Sequence, residues 1–180
     1  MKLGIMQPYF LPYLGYWQLM NAVDTYIVYD DVNYIKRGRI NRNNILINGE
    51  SKTINLILKE ASQNKHINEI FIDNNEVQKR KLLSKIQMAY SKAPYFSEVF
   101  PMIEQIFLQH EENLAKYLYN TFQIIAGYLN IQTKIILSSS LNKDCSLKGK
   151  YKIVSICKLF DYYCNEDVTG KILDSYINII

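Results

Sequence analysis

The sequence predicts an α/β domain built on a Rossmann-like, mostly parallel sheet with a helical insertion or lobe. Three observations predict it. A strand–helix–strand order opens the chain within residues 2–31. Short β-branched runs then alternate with amphipathic helical stretches. A long helical middle, about residues 75–130, interrupts that alternation. The 180 residues, 48% of them hydrophobic, suffice for a single domain, 1–180, with a core of its own.

The elements follow in order. KLGIM (2–6) reads as a short buried strand and TYIVYDD (25–31) as the next. Between them YLGYWQLMNAV forms a helix of about three turns, with Tyr13, Trp17 and Met20 at i, i+4, i+7 on one face. A helix between two strands is the crossover that parallel pairing needs. SKTINLILKE (51–60) reads as a third strand and INEIFIDN (67–74) as a shorter one. EVQKRKLLSKIQMAYSK is a charged amphipathic helix that stops before Pro94. PYFSEVFPMIEQIFLQ holds another, with Pro101 near its first turn, where a missing N–H does no harm. In ENLAKYLYNTFQIIAGYLNI, Leu114, Leu118, Phe122, Ile125 and Leu129 form one apolar stripe. TKIILSSS is then a strand, KGKYKIVSICKLFDYY the last helix, and YCNEDVTGK a weak strand ended by a glycine.

Charge and cysteine usage narrow the function classes. A net charge of +4 is compatible with a phosphate-bearing partner but far from that of a nucleic-acid-binding tail. The three cysteines, Cys145, Cys157 and Cys164, are an odd count with no CxxC pair. They read as reduced thiols of a cytoplasmic protein, with Cys157 in the core. The start, MKLGIMQPYF, meets Gln7 and Pro8 before an apolar leader core forms. No window approaches the ~20 apolar residues of a membrane span. Fifteen tyrosines suit half-buried walls of a binding site, and a Lys/Ile/Asn-rich composition accounts for them equally well. His66 and His110 lack partners at ligand spacing, so no metal site is expected. Nothing matches GxGxxG, a Walker A loop or GxSxG, and which cofactor, if any, serves the chain is left open by the sequence.

The chemistry concentrates where the first two strands end. In parallel sheets ligands bind beyond the carboxyl ends of the strands. QPYFLPYLG lies at such an end and leads into the first helix. Pro8 and Pro12 stiffen the loop, and Gly15 permits a close backbone approach. Tyr9, Phe10 and Tyr13 are placed to wall a pocket, and Gln7 to present its amide inside it. The following helix N-terminus favours phosphate. The same residues also suit a loop that merely covers the sheet edge. The second strand ends in Asp30 and Asp31, whose side chains point to opposite faces. One acid therefore serves as a structural partner, while the other can hold a metal, a ribose or an amine, or act as a base. KRGRINRNN (36–44) follows. Its Lys36, Arg37, Arg39 and Arg42, with Asn41, Asn43 and Asn44, suit a diphosphate or a solvated basic loop. SSSL (138–141) offers hydroxyls to a ligand or caps a turn.

Gln7 to Tyr16, then Asp30-Asp31-Val32, Lys36 and Arg42-Asn43, resemble the WbqC-like family. AYSKAPYF (89–96), SSSL and IVSICKLF (153–160) extend the resemblance over nearly the whole chain. The family occurs among bacterial O-antigen and surface-polysaccharide enzymes. The resemblance implies transfer of glycine, or a related acyl unit, to the amino group of an amino sugar. Members often carry Trp where this chain has Arg39. They also continue for some tens of residues past the glycine matching Gly170, so this chain reads as short at its C-terminus. A looser likeness joins the strand–loop–helix–strand start to nucleotidylyltransferase-type folds. PYLGY, however, stands in place of their HxGH signature and has no histidine.

The expected partners are then a nucleotide-linked amino sugar and an activated acyl donor, whether adenylate, thioester or aminoacyl-tRNA. Asp30, Asp31, Gln7 and Tyr9 would carry the chemistry. Pro8, Phe10, Tyr13, Lys36, Arg37, Arg42 and Asn43 would bind substrate, with Gln7 and Asn43 facing a developing oxyanion. The alternatives are a non-catalytic sugar-nucleotide or partner-binding subunit and, on weaker grounds, an RNA-binding accessory protein.

Overall fold

The computed structural model describes residues 2–160, and the chain divides after Ser139 into two compact units. In chain order the elements are β1 (Leu3–Met6), α1 (Leu14–Ala22), β2 (Thr25–Val28), β3 (Arg42–Ile47), β4 (Glu50–Asn55), β5 (Leu58–Lys59), β6 (Phe71–Ile72), α2 (Glu76–Tyr90), α3 (Phe96–Leu108), α4 (Leu114–Tyr128), β7 (Lys134–Leu137) and α5 (Gly149–Leu159). Short 3-10 turns cover Ile67–Glu69 and Ser138–Ser140.

In the first unit β1, β2 and β7 form a parallel sheet in that order. The register runs from Leu3↔Thr25 to Met6↔Val28 on one side and from Thr25↔Lys134 to Val28↔Leu137 on the other. Central β2 is buried at all four positions, as a strand covered on both faces must be. Gly4 pairs with Tyr26, and a Cβ there would sit 3.0 Å from the Tyr26 ring, so any side chain would press on that ring. At the far end of α1, the Thr133 hydroxyl reaches the carbonyls of Met20 (2.7 Å) and Val23 (2.9 Å), tying the approach to β7 to the helix terminus.

The mixed α/β class follows the sequence, but the sheet differs from the expected one. The only parallel sheet among the described residues has three strands. The expected third strand, 51–60, is two strands in separate antiparallel pairs: β4 joins β3, and β5 joins β6. The 36–44 loop correspondingly ends inside β3. Asn48 and Gly49, with φ of 52° and 79°, form the two-residue turn between Ile47 and Glu50. That is a tight hairpin turn, which Asn-Gly favours because both residues tolerate positive φ. The expected strand at 67–74 opens as a 3-10 turn, and only Phe71–Ile72 pair. The weak strand expected at 163–171 and Cys164 lie outside the described residues.

Helices α2, α3 and α4 occupy the predicted helical middle. Pro101 is the sixth residue of α3, in its second turn. Its missing N–H deprives the Ser97 carbonyl of its i+4 donor, at an exposed residue. In α4 the predicted stripe is buried at Leu114, Leu118, Phe122 and Ile125, but Leu129 is the exposed C-cap. Asn113 caps α4 through Lys116 N–H and also donates to the Asn68 carbonyl. In α1 the buried face is Tyr16, Trp17 and Met20, while Tyr13 is 56% exposed. The aromatic core follows from this rotation: Tyr16 lies 5.6 Å from Tyr26 and 5.3 Å from Phe122, and Trp17 meets Phe122 edge-on at 5.8 Å. In the second unit α5 buries Lys152, Ile156 and Cys157.

Candidate functional site

The register of the sheet places Met6, Val28 and Leu137 in one row, so the chain leaves all three strands at one edge. Gln7, Tyr29 and Ser138 follow that row. Tyr29 N–H still donates to the Met6 carbonyl at 2.8 Å, so the edge stays zipped one residue past the strands. Asp30, the next residue, is fully buried. Its carboxylate accepts from Ser139 N–H at 2.9 Å and from the Ser139 hydroxyl at 2.6 Å. Burial raises its pKa above the usual 3.8, an effect that the two Ser139 hydrogen bonds oppose without cancelling. Asp31 is also buried. The neighbouring Tyr29 phenol is pushed up to about 12, first by burial and then by the Asp31 charge.

Two loops meet beside this edge. Phe10 N–H donates to the Arg39 carbonyl at 3.1 Å. The Asn43 amide donates to the carbonyls of Phe10 (3.1 Å) and Leu11 (2.5 Å). The same amide accepts from Asn44 N–H at 2.8 Å. Arg42 folds back on its own loop, donating to the Gly38 carbonyl at 3.0 Å and to the Arg37 carbonyl. Leu11 and Arg37 hold positive φ, 48° and 65°, one in each loop, a conformation that non-glycine residues adopt at a cost. Asn41 anchors the second loop from behind. It accepts from the Tyr34 hydroxyl at 2.8 Å, and its amide donates to the Leu56 carbonyl at 2.9 Å.

The sequence-predicted residues therefore separate by environment. Gln7, Tyr9, Asp30 and Asp31 gather at the sheet edge. The Gln7 carbonyl accepts from the buried Tyr16 hydroxyl at 3.0 Å, and the half-buried Tyr9 ring lies 6.0 Å from the Tyr16 ring. Burial first, then Tyr13, raises the Tyr9 phenol above its ordinary value. Pro8 is buried, and Phe10 is fully buried, edge-on to Phe107 at 5.6 Å, so the Phe10 ring belongs to the core. Tyr13 covers Gly15, where an added Cβ would lie 2.5 Å from the Tyr13 ring. Lys36 and Arg37 are exposed. Arg42 and Asn43 spend hydrogen bonds on loop carbonyls.

Ser139, Asn41, Tyr34 and Asn68 join this neighbourhood without having stood out in the sequence as its framework. Asn68 N–H donates to the Asp30 carbonyl at 3.1 Å, and its side-chain Oδ1 is buried with no partner among the described residues. The cues in the sequence were SSSL directly after a strand, which holds Ser139, and Asn41 in the basic loop; Tyr34 and Asn68 had none. Among the described residues no three His, Cys, Asp or Glu side chains gather as a metal site, and no helix is long and apolar enough to cross a membrane.

The model of the WbqC-like protein family matches residues 7–174. An uncharacterized protein of Mycobacterium tuberculosis (strain ATCC 25618 / H37Rv), Rv1507c, is 27% identical over 179 residues, covering 98% of this chain and 75% of its own length. No solved structure matches this chain.

Proposed function

The chain belongs to the WbqC-like protein family, and from that membership and its strand-end geometry we propose a transferase of O-antigen or other surface-polysaccharide biosynthesis. It forms an amide by moving glycine, or a related acyl unit, onto the amino group of a nucleotide-linked amino sugar. The observation that carries this reading is the pair of adjacent buried acids at the carboxyl end of the central strand, one of them locked. Asp30, held by Ser139, is the positioning residue, and Asp31 is the base. The reading also takes the three-stranded sheet as a Rossmann-like core and places the enzyme in the cytoplasm as one domain.

The step balances as follows. The neutral amine attacks the acyl carbonyl carbon, forming C–N. The bond from that carbon to the donor's phosphate, thiolate or ester oxygen breaks, and the leaving group takes the electron pair. Asp31 accepts the proton that the amine loses. Gln7 supplies an amide N–H to the developing oxyanion. Tyr9 and Tyr13 stack on the sugar, and Lys36 and Arg37 meet the diphosphate. Asn43 and Arg42, expected as direct ligands, instead hold the shape of the two loops, consistent with their hydrogen bonds.

The test pairs binding with turnover. UDP- and dTDP-linked amino sugars should raise the melting temperature more than their hydroxyl counterparts. Asp31→Asn should keep that shift and lower transfer, read by mass spectrometry of the acceptor, about 10²–10⁴-fold. The reading is sunk if amino and hydroxyl sugars shift alike, or if Asp31→Asn transfers normally. The commitment of Asn43 and Arg42 to loop carbonyls favours a second reading, a sugar-nucleotide-binding subunit. It predicts the amino-sugar shift with no transfer from any acyl donor.

A further inference from the structure

A cleft of about 230 Å³ opens in the first unit between the segments 53–57 and 72–75 and helix α2. None of the residues expected at the strand ends lines it. Its floor is apolar, with Leu56, Ile72, Leu82 and Phe107. Its wall carries three lysines, Lys79, Lys81 and Lys85, against one acid, Asp73. None of the three makes an ion pair among the described residues.

The lysines differ in kind. Lys79 is only 8% exposed and donates from Nζ to the Gln109 carbonyl at the end of α3, at 2.8 Å. Burial lowers its pKa, while Glu76 and Glu112 oppose that shift. Lys81 and Lys85 are exposed and stand one turn apart on α2. Like charges at i, i+4 repel, and here both line one concavity. An anion seated between them relieves that repulsion, and the apolar floor beneath favours an organic body over a bare ion. The volume is below the usual range for drug-sized ligands, which begins at about 300 Å³, so the ligand is small.

We propose that this cleft binds a small organic phosphate. Its apolar body lies on Leu56, Leu82 and Phe107, and its phosphate lies between Lys81 and Lys85 with the buried charge of Lys79 behind. The site is independent of the transferase reading and stands or falls without it.

Phenyl phosphate is the probe, titrated calorimetrically against the full chain, with inorganic phosphate, benzoate and phenol in parallel. Phenyl phosphate should bind most tightly of the four. The double substitution Lys81→Gln/Lys85→Gln, on exposed positions, should weaken it at least tenfold, while Lys116→Gln on α4 leaves it unchanged. Three results would each overturn the proposal. Phenyl phosphate fails to bind at millimolar concentration, inorganic phosphate binds equally well, or Lys116→Gln weakens binding as much as the double variant does.

Discussion

At the residue scale, Asp30 decides how the sheet edge responds to acid. Its folded pKa is raised, so the folded state holds this proton to higher pH than the unfolded chain does. Stability from this group is therefore fully present below the ordinary aspartate value and is lost as pH rises through the folded one. Asp30→Asn keeps an acceptor for Ser139 N–H and a donor for its hydroxyl, and it removes the buried charge. Melting curves should show the variant at least as stable as the parent at neutral pH, with less decline as pH rises from about 4. A variant that melts lower at pH 7 but not at pH 4 would reverse the sign. The DD pair was legible as special because two acids end an apolar run. Its partner was only half legible: SSSL after a strand offered hydroxyls, but Ser139 lies 109 residues away, and no local pattern announces a contact of that range.

At the element scale, the two loops are joined by the Asn43 amide and by the Phe10–Arg39 backbone bond. Asn43→Ala would leave the Phe10 and Leu11 carbonyls without their donor. Denaturant unfolding should show a loss of roughly 1–3 kcal/mol, with sugar-nucleotide binding weakened as the first loop loosens. A neutral result would mean that water replaces the amide, and it would remove Asn43 from the framework. The four cations of 36–44 suit an anion or a solvated loop alike, and that reading of charge overlooks β3, which begins at Arg42. The Asn48-Gly49 signal for that hairpin was present in the sequence, but the alternation in RNNILI is diluted by asparagines and only partly buried. By contrast, α4 was plain from its stripe, whose 3.6-residue spacing holds from Leu114 to Ile125 and fails only at the exposed C-cap Leu129.

At the scale of the whole molecule, the core joins the regions that sequence reading treated separately. Phe10 from the first loop meets Phe107, which also floors the cleft beside α2. Phe107→Ala should cost about 3–5 kcal/mol, read from the midpoint shift at constant m-value. A cost below about 1 kcal/mol would show that the neighbouring side chains collapse into the space. The α/β class was legible because strand and helix periods differ. The size of the parallel sheet was not, since a short strand looks alike whether its neighbour runs parallel or antiparallel. That topology has a consequence during synthesis. Strand β7 reaches β2 only after the three long helices have been made, so a nascent chain carries a strand destined for full burial with one open edge. Until Lys134–Leu137 leave the ribosome, that edge is a template for a neighbouring chain, and chaperone capture at this stage would decide the yield of native protein.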